Sequence, residues 1–137
     1  MKIKEDCLSP ILIGLKTCVA ELFSDFGYFV ELTKQTRDKG IDIIAIRRSI
    51  IPEIDERYLI QYKRHAPHNK VGISVVHELL GVGVSEPHTG LIIATTSSFT
   101  KPALEITKKE STKWRLHLKD YFDIYQWLKA YTKKRIW

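Results

Sequence analysis

Apolar residues in the opening quarter of the chain recur with a helical period: Leu12, Leu15, Val19, Leu22, Phe23 and Phe26 fall on one side. Ser9-Pro10 offers a cap followed by a proline at the first helical position, and Gly27 offers a stop, so a helix is predicted between them. Alternation then takes over. Tyr28–Thr33, Ile41–Arg47 and Tyr58–Lys63 read as three strands, in which successive side chains point to opposite faces. Helical spacing returns over Val71–Val82, where Val75, Val76, Leu79 and Leu80 share a side. The run GLIIAT, Gly90–Thr95, is apolar throughout, as expected of a strand covered on both faces. Lys101–Lys109 reads as a helix, Trp114–Leu118 as extended chain and Asp120–Lys133 as an amphipathic closing helix. In that last helix Tyr121, Phe122, Tyr125, Trp127, Leu128 and Tyr131 are expected to form a core face.

The order α-β-β-β-α-β-α-β-α predicts an α/β fold. Consecutive strands favour antiparallel pairing and the helix-separated strand favours a crossover, so a mixed central sheet flanked by helices is expected. With 137 residues, no internal repeat and no linker, residues 1–137 read as a single domain. The strand Ile41–Arg47 is apolar on both sides, with Ile41, Ile43 and Ala45 on one and Ile44 and Ile46 on the other. Asp42 interrupts the second of these faces, and a carboxylate there needs a partner. The next strand supplies polar groups, because in YLIQYK Tyr58, Ile60 and Tyr62 share one face while Leu59, Gln61 and Lys63 share the other.

An antiparallel hairpin would set Asp42 beside Gln61 and Lys63. Two readings of that trio stand: an Asp42–Lys63 ion pair with Gln61 satisfying the remaining donors, or a divalent-metal site. In the second, Asp42 is the anionic oxygen ligand and Gln61 a neutral one, a set suited to a Mg²⁺ ion that keeps several waters. Lys63 would then stabilise charge on a scissile phosphate or activate the attacking water. The formal charge of +6 suits a polyanionic partner. Only Cys7 and Cys18 are present, without a CxxC or a Cys/His cluster, which argues against a disulfide framework and a structural zinc. No apolar run approaches the ~20 residues needed to span a bilayer, and MKIKEDCLSP lacks the pattern of a secretion signal, so a cytoplasmic protein without a membrane partner is expected.

From about Phe26 to Tyr131 the chain resembles the Mrr-like restriction endonuclease branch of the PD-(D/E)xK nuclease superfamily. The matching stretches are FGYFVELTKQTRDKGIDIIAI, YLIQYKRH, KVGISVVHELLGV, GLIIATTSSFTKPAL and LHLKDYFDIYQWL. The resemblance implies a restriction-endonuclease-like αβββαβ core and Mg²⁺-dependent hydrolysis of DNA phosphodiesters, with Mn²⁺ able to substitute. It carries the motif, in its D…QxK variant, onto Asp42, Gln61 and Lys63, and adds the backbone carbonyl of Tyr62 as a metal ligand. It also implies a glutamate from the first helix. Its usual position falls near Lys16, and the acid on offer is Glu21, five residues on and about 140° round the helix. Glu21 is therefore the candidate fourth catalytic residue. Lys34, Arg37 and Lys39 before the site and Arg64 and Lys70 after it would neutralise DNA phosphates. Cutting both strands favours a homodimer. The competing functions are a Holliday-junction resolvase and a catalytically weak DNA-binding module of the same fold. The insert SIIPEIDER, Ser49–Arg57, exposes its isoleucines to a partner subunit or packs them on its own sheet.

Overall fold

The computed structural model describes residues 15–33, 40–86 and 89–135. Along them run α1 (Leu15–Asp25), β1 (Phe29–Leu32), β2 (Ile43–Arg47), a 3-10 turn (Pro52–Ile54), β3 (Glu56–Lys63), α2 (Ile73–Gly83), β4 (Gly90–Thr95), α3 (Lys101–Ile106), β5 (Leu116–Lys119) and α4 (Tyr121–Arg135). The predicted order is reproduced, and the apolar run of β4 has the predicted limits. The Ser9-Pro10 start of the first helix lies outside the described residues. Its stop does not: α1 ends before Gly27, which adopts a left-handed φ of +93°.

The five strands form one sheet in the order β1-β2-β3-β4-β5. β1, β2 and β3 are antiparallel neighbours, and β3, β4 and β5 are parallel. The mixed character accords with the connections, since helices α2 and α3 lie between the parallel strands β3, β4 and β5 while no helix separates β2 from β3 except the 3-10 turn. One face packs against α1 and α4, with Val19, Leu22, Ile43, Ala45, Ile60, Ile92, Ala94, Ile124 and Leu128 as its core. The other packs against α2 and α3 through Ile41, Leu59, Val76, Leu79, Leu91, Ile93 and Ala103. β4 is covered on both faces, its residues entering both cores, which is why its sequence lacks alternation.

Two details depart from the sequence reading, and one that it left open is decided. In α4 the core is made by Ile124 and Leu128, both fully buried, while Phe122 is 64% exposed. The aromatic spacing there marks only part of the buried face, with Trp127 half-buried against Phe23. Ile50, Ile51 and Ile54 stand out in solvent and do not pack on their own sheet. Cys18 is buried and disulfide-bonded, a crosslink that the cysteine count does not call for; Cys7 lies outside the described residues. No helix among the described residues is long and apolar enough to cross a membrane.

The start of α4 is secured by a reciprocal cap. The Asp123 N–H donates to Asp120 Oδ1 (2.8 Å), and the Asp120 N–H donates to Asp123 Oδ2 (3.2 Å). Burial and the neighbouring Asp120 charge push the Asp123 carboxyl above its ordinary range, while the bond it accepts from the Asp120 N–H opposes them. Asp120→Ala is expected to cost about 1 kcal/mol. Chemical denaturation of the two proteins measures it.

Candidate active site

Where β2 begins, the ladder to β3 slips by one residue. Ile43 stands opposite Ile60 in the strand register, yet the Asp42 N–H also reaches the Ile60 carbonyl (2.9 Å). Two residues of one strand therefore face one of the other, the arrangement of a β-bulge. Strict alternation predicts Ile41 on the same face as Ile43, but Ile41 lies in the α2–α3 core and Ile43 in the α1–α4 core. The extra residue absorbs the difference and turns Asp42 toward α1. This corrects the assignment of Ile41 and Asp42 to faces, for a local reason that alternation does not encode.

Among the described residues the turned carboxylate has two partners. The Tyr62 N–H donates to Asp42 Oδ2 (2.7 Å), and Lys16 Nζ of α1 stands 3.7 Å from Oδ1. Both side chains are largely covered, 14% exposed for Asp42 and 21% for Lys16. The ion pair of Asp42 is thus made with Lys16, and the alternative of an Asp42–Lys63 pair is set aside. On the other side the Thr33 N–H donates to the Asp42 carbonyl (3.0 Å), and the Thr33 hydroxyl donates to the Ile41 carbonyl. Backbone and carboxylate are held together, so Asp42 has little freedom.

β3 contributes the QxK segment. Because β2 has ended, the Tyr62 N–H meets a side chain where a ladder partner would stand. In an extended strand the N–H and C=O of one residue point to the same neighbour, so the Tyr62 carbonyl faces the same gap. Burial raises the Tyr62 phenol above its ordinary pKa; Arg64 opposes that rise and Asp42 adds to it. Gln61 is only 2% exposed, and its Oε1 accepts no hydrogen bond among the described residues. An orphaned buried acceptor costs about 1–3 kcal/mol. Lys63 is half-buried, and the Thr95 hydroxyl (2.7 Å) and the Thr96 N–H (3.3 Å) both donate to its carbonyl. Among the described residues its ammonium makes no ion pair.

The fold therefore brings together Asp42, the Tyr62 backbone and Lys16, with Gln61 and Lys63 on the adjoining stretch of β3. Glu21 is half-buried on α1, whose contact with Asp42 is made by Lys16. No three His, Cys, Asp or Glu side chains gather closely enough to hold a metal among the described residues. A cation here would have to draw on Asp42 together with amide and backbone oxygens. Those donors, one carboxylate and two neutral oxygens, are hard ligands of the kind Mg²⁺ accepts, and the undonated Gln61 Oε1 fits the same need. Arg64 and Lys70 are exposed just beyond β3, and Arg64, His65, Pro67 and Thr96 line a cavity of about 330 Å³ there. Lys34, Arg37 and Lys39 lie outside the described residues. A larger apolar cavity, about 470 Å³, sits between Phe23, Tyr28, Arg47 and Trp127, at the opposite end of β2 from Asp42.

Lys16 and the bulge are what the sequence reading missed as contributors. The first was visible only as a basic residue in place of an acid, and the second has one local sign, Gly40. Gly40 adopts a φ of +86°, and a Cβ built there would lie 2.5 Å from Gln61 Nε2. The close approach seats the glutamine amide beneath the turn that leads to Asp42. Gly40→Ala is expected to cost about 1–3 kcal/mol through the left-handed φ and the displaced amide. Gly81→Ala, at a helical glycine with nothing within 4 Å of the added carbon, should be neutral or stabilising. Urea midpoints for both variants check the contrast.

Comparison with known proteins bears on this arrangement. A family model described as restriction endonuclease, the Mrr catalytic domain, matches residues 13–128. A curated relative, the uncharacterized protein y4cE of Sinorhizobium fredii (strain NBRC 101917 / NGR234), is 33% identical over 87 residues, which are 64% of this chain and 22% of that protein. Among solved structures, the DNA modification-dependent restriction endonuclease AspBHI superposes with a TM-score of 0.67 at 20% identity, over 90% of this chain and 32% of that one. The MspJI restriction endonuclease, solved with a 27-mer oligonucleotide, gives 0.59 at 18% identity, over 90% and 27%. A protein of unknown function, AF1548, gives 0.59 at 19% identity, over 78% and 56%. These three share the fold. The chain spans about a fifth of the curated relative and about a third of AspBHI. With the family pattern running through most of its length, the chain belongs to the restriction endonuclease family of the Mrr catalytic type.

Proposed function

We propose that this chain is a Mg²⁺-dependent DNA endonuclease that hydrolyses backbone phosphodiesters through Asp42, Gln61 and Lys63. The observation that carries the reading is the parting of β2 and β3. There a carboxylate is locked onto the Tyr62 N–H, and one residue away a buried Gln61 Oε1 has no donor among the described residues. Family membership supports it, and so do the structural relatives AspBHI, named as a restriction endonuclease, and MspJI, solved with an oligonucleotide. Asp42, Gln61 Oε1 and the Tyr62 carbonyl would hold the ion, with Mn²⁺ able to replace Mg²⁺. Bound there, it would polarise the phosphate and make an attacking water more acidic.

The chain's own groups do the rest. The Tyr62 N–H aims the Asp42 carboxylate, and the Thr33 bonds keep its backbone from yielding. The Lys63 ammonium stabilises negative charge as it develops on the phosphate. The Lys63 main chain is anchored by the two bonds that its carbonyl accepts from Thr95 and Thr96. Arg64 and Lys70, with Lys34, Arg37 and Lys39, neutralise flanking phosphates and make binding steeply salt-dependent. Glu21 is the reserve acid of α1. The reading places the protein in the cytoplasm with duplex DNA, as a homodimer where both strands are cut.

Lys16 gives specific support to a second reading, a DNA-binding module with weak catalysis, because a cation occupies the helix position beside Asp42. A plasmid-nicking assay in Mg²⁺ separates the two. Asp42→Ala and Lys63→Ala should each lower cleavage by about 100-fold or more. Equal nicking by wild type and both variants would sink the nuclease assignment. No nicking by wild type, with DNA affinity unchanged in Asp42→Ala, selects the binding module.

A further inference from the structure

The charges around Asp42 are out of balance for a site that takes a divalent cation. Asp42 brings one negative charge, and the Gln61 amide and the Tyr62 carbonyl are neutral. Against that negative charge stands Lys16 of α1, 3.7 Å away. Without substrate the Lys16 ammonium therefore already balances the Asp42 charge. Lys16 and Asp42 are mostly shielded from water, so salt screens their interaction less than it screens a surface pair. A partly covered carboxylate needs a counterion, and here the chain carries one of its own.

Resting on the metal-site reading above, we propose that Lys16 is a built-in counterion of Asp42 that keeps the site poor in metal until DNA arrives, so that divalent cation and DNA bind cooperatively. A second positive group beside the same carboxylate oxygen raises the free energy of placing a divalent charge there. A DNA phosphate supplies the missing negative charge. With phosphate in the site, the Lys16 ammonium has a second anion to pair with and Asp42 is released to the metal. The coupling is reciprocal: DNA tightens metal binding by the same factor by which metal tightens DNA binding. Lys16 acts through Asp42 and is a positioning residue.

Calorimetric titration of Mn²⁺ into the full chain without DNA tests this, using wild type, Lys16→Met, Lys16→Arg, Asp42→Ala and the Lys16→Met/Asp42→Ala double variant. Lys16→Met should bind Mn²⁺ about tenfold more tightly than wild type, and Lys16→Arg should stay near wild type. Both Asp42→Ala proteins should lose the site. In parallel, fluorescence anisotropy with a labelled duplex and Ca²⁺ reads the coupling: Ca²⁺ should tighten DNA binding by wild type, and by a smaller factor for Lys16→Met. Asp42-dependent Mn²⁺ binding that is equally tight in wild type and Lys16→Met overturns the proposal and leaves the metal site standing. Mn²⁺ binding indifferent to Asp42 in every protein overturns the metal-site reading itself. Thermal melts accompany each titration, and if Lys16→Met fails to fold, Lys16→Gln takes its place with the same expected tightening.

Discussion

Everything at the site depends on one hydrogen bond, from the Tyr62 N–H to the carboxylate of Asp42. A strand that ends inside a sheet leaves its neighbour with backbone groups that need partners. Here β2 begins only at Ile43, and the side chain of the preceding residue takes the place of the next ladder partner. The substitution leaves a gap at the ends of the two strands without orphaning the Tyr62 amide. It also fixes an acidic oxygen in a place where a simple hairpin would hold only backbone.

The bulge makes that bond possible. One extra residue against Ile60 sends Ile41 into the core beneath α2 and α3 and turns Asp42 toward α1. Ile41 acts as an anchor. Its burial, worth about 1.5–3 kcal/mol for a large aliphatic side chain, holds the entrance of β2 from below, while Thr33 of the β1 end holds it from the side. The fold thus spends a hydrophobic side chain to aim a polar one. The sheet order matters for the same reason: β3 lies between an antiparallel and a parallel neighbour, so its even-numbered residues near the end turn their backbone to Asp42. Its odd-numbered ones bond toward β4, as the Lys63 carbonyl does with Thr95 and Thr96.

Much of this was legible beforehand because it is local. Helical and strand periods, the all-apolar β4 and the stop at Gly27 are properties of short stretches, and each reappears close to its predicted place. The antiparallel pairing of β2 with β3 was legible too, and it sets the head of one strand beside the end of the other. The aromatic face of α4 misled because spacing alone ranks Phe122 with Trp127, whereas the sheet beneath has room for Ile124 and Leu128. The isoleucines of the β2–β3 connection were left open between two fates, and the structure leaves them in solvent.

What the sequence determined by itself is the set of elements, their order and the residue types available at the head of β2 and the end of β3. Those depend on neighbours a few positions apart, and periodicity records them faithfully. Only the tertiary structure decided which way Asp42 points, that Gln61 Oε1 is buried without a donor among the described residues, and that Lys16 is the cation beside the carboxylate. A one-residue slip in pairing depends on how two strands and the layers on both sides fit together. That information is spread over the whole core, from Ile41 beneath α2 to Lys16 on α1, and no short stretch of sequence contains it.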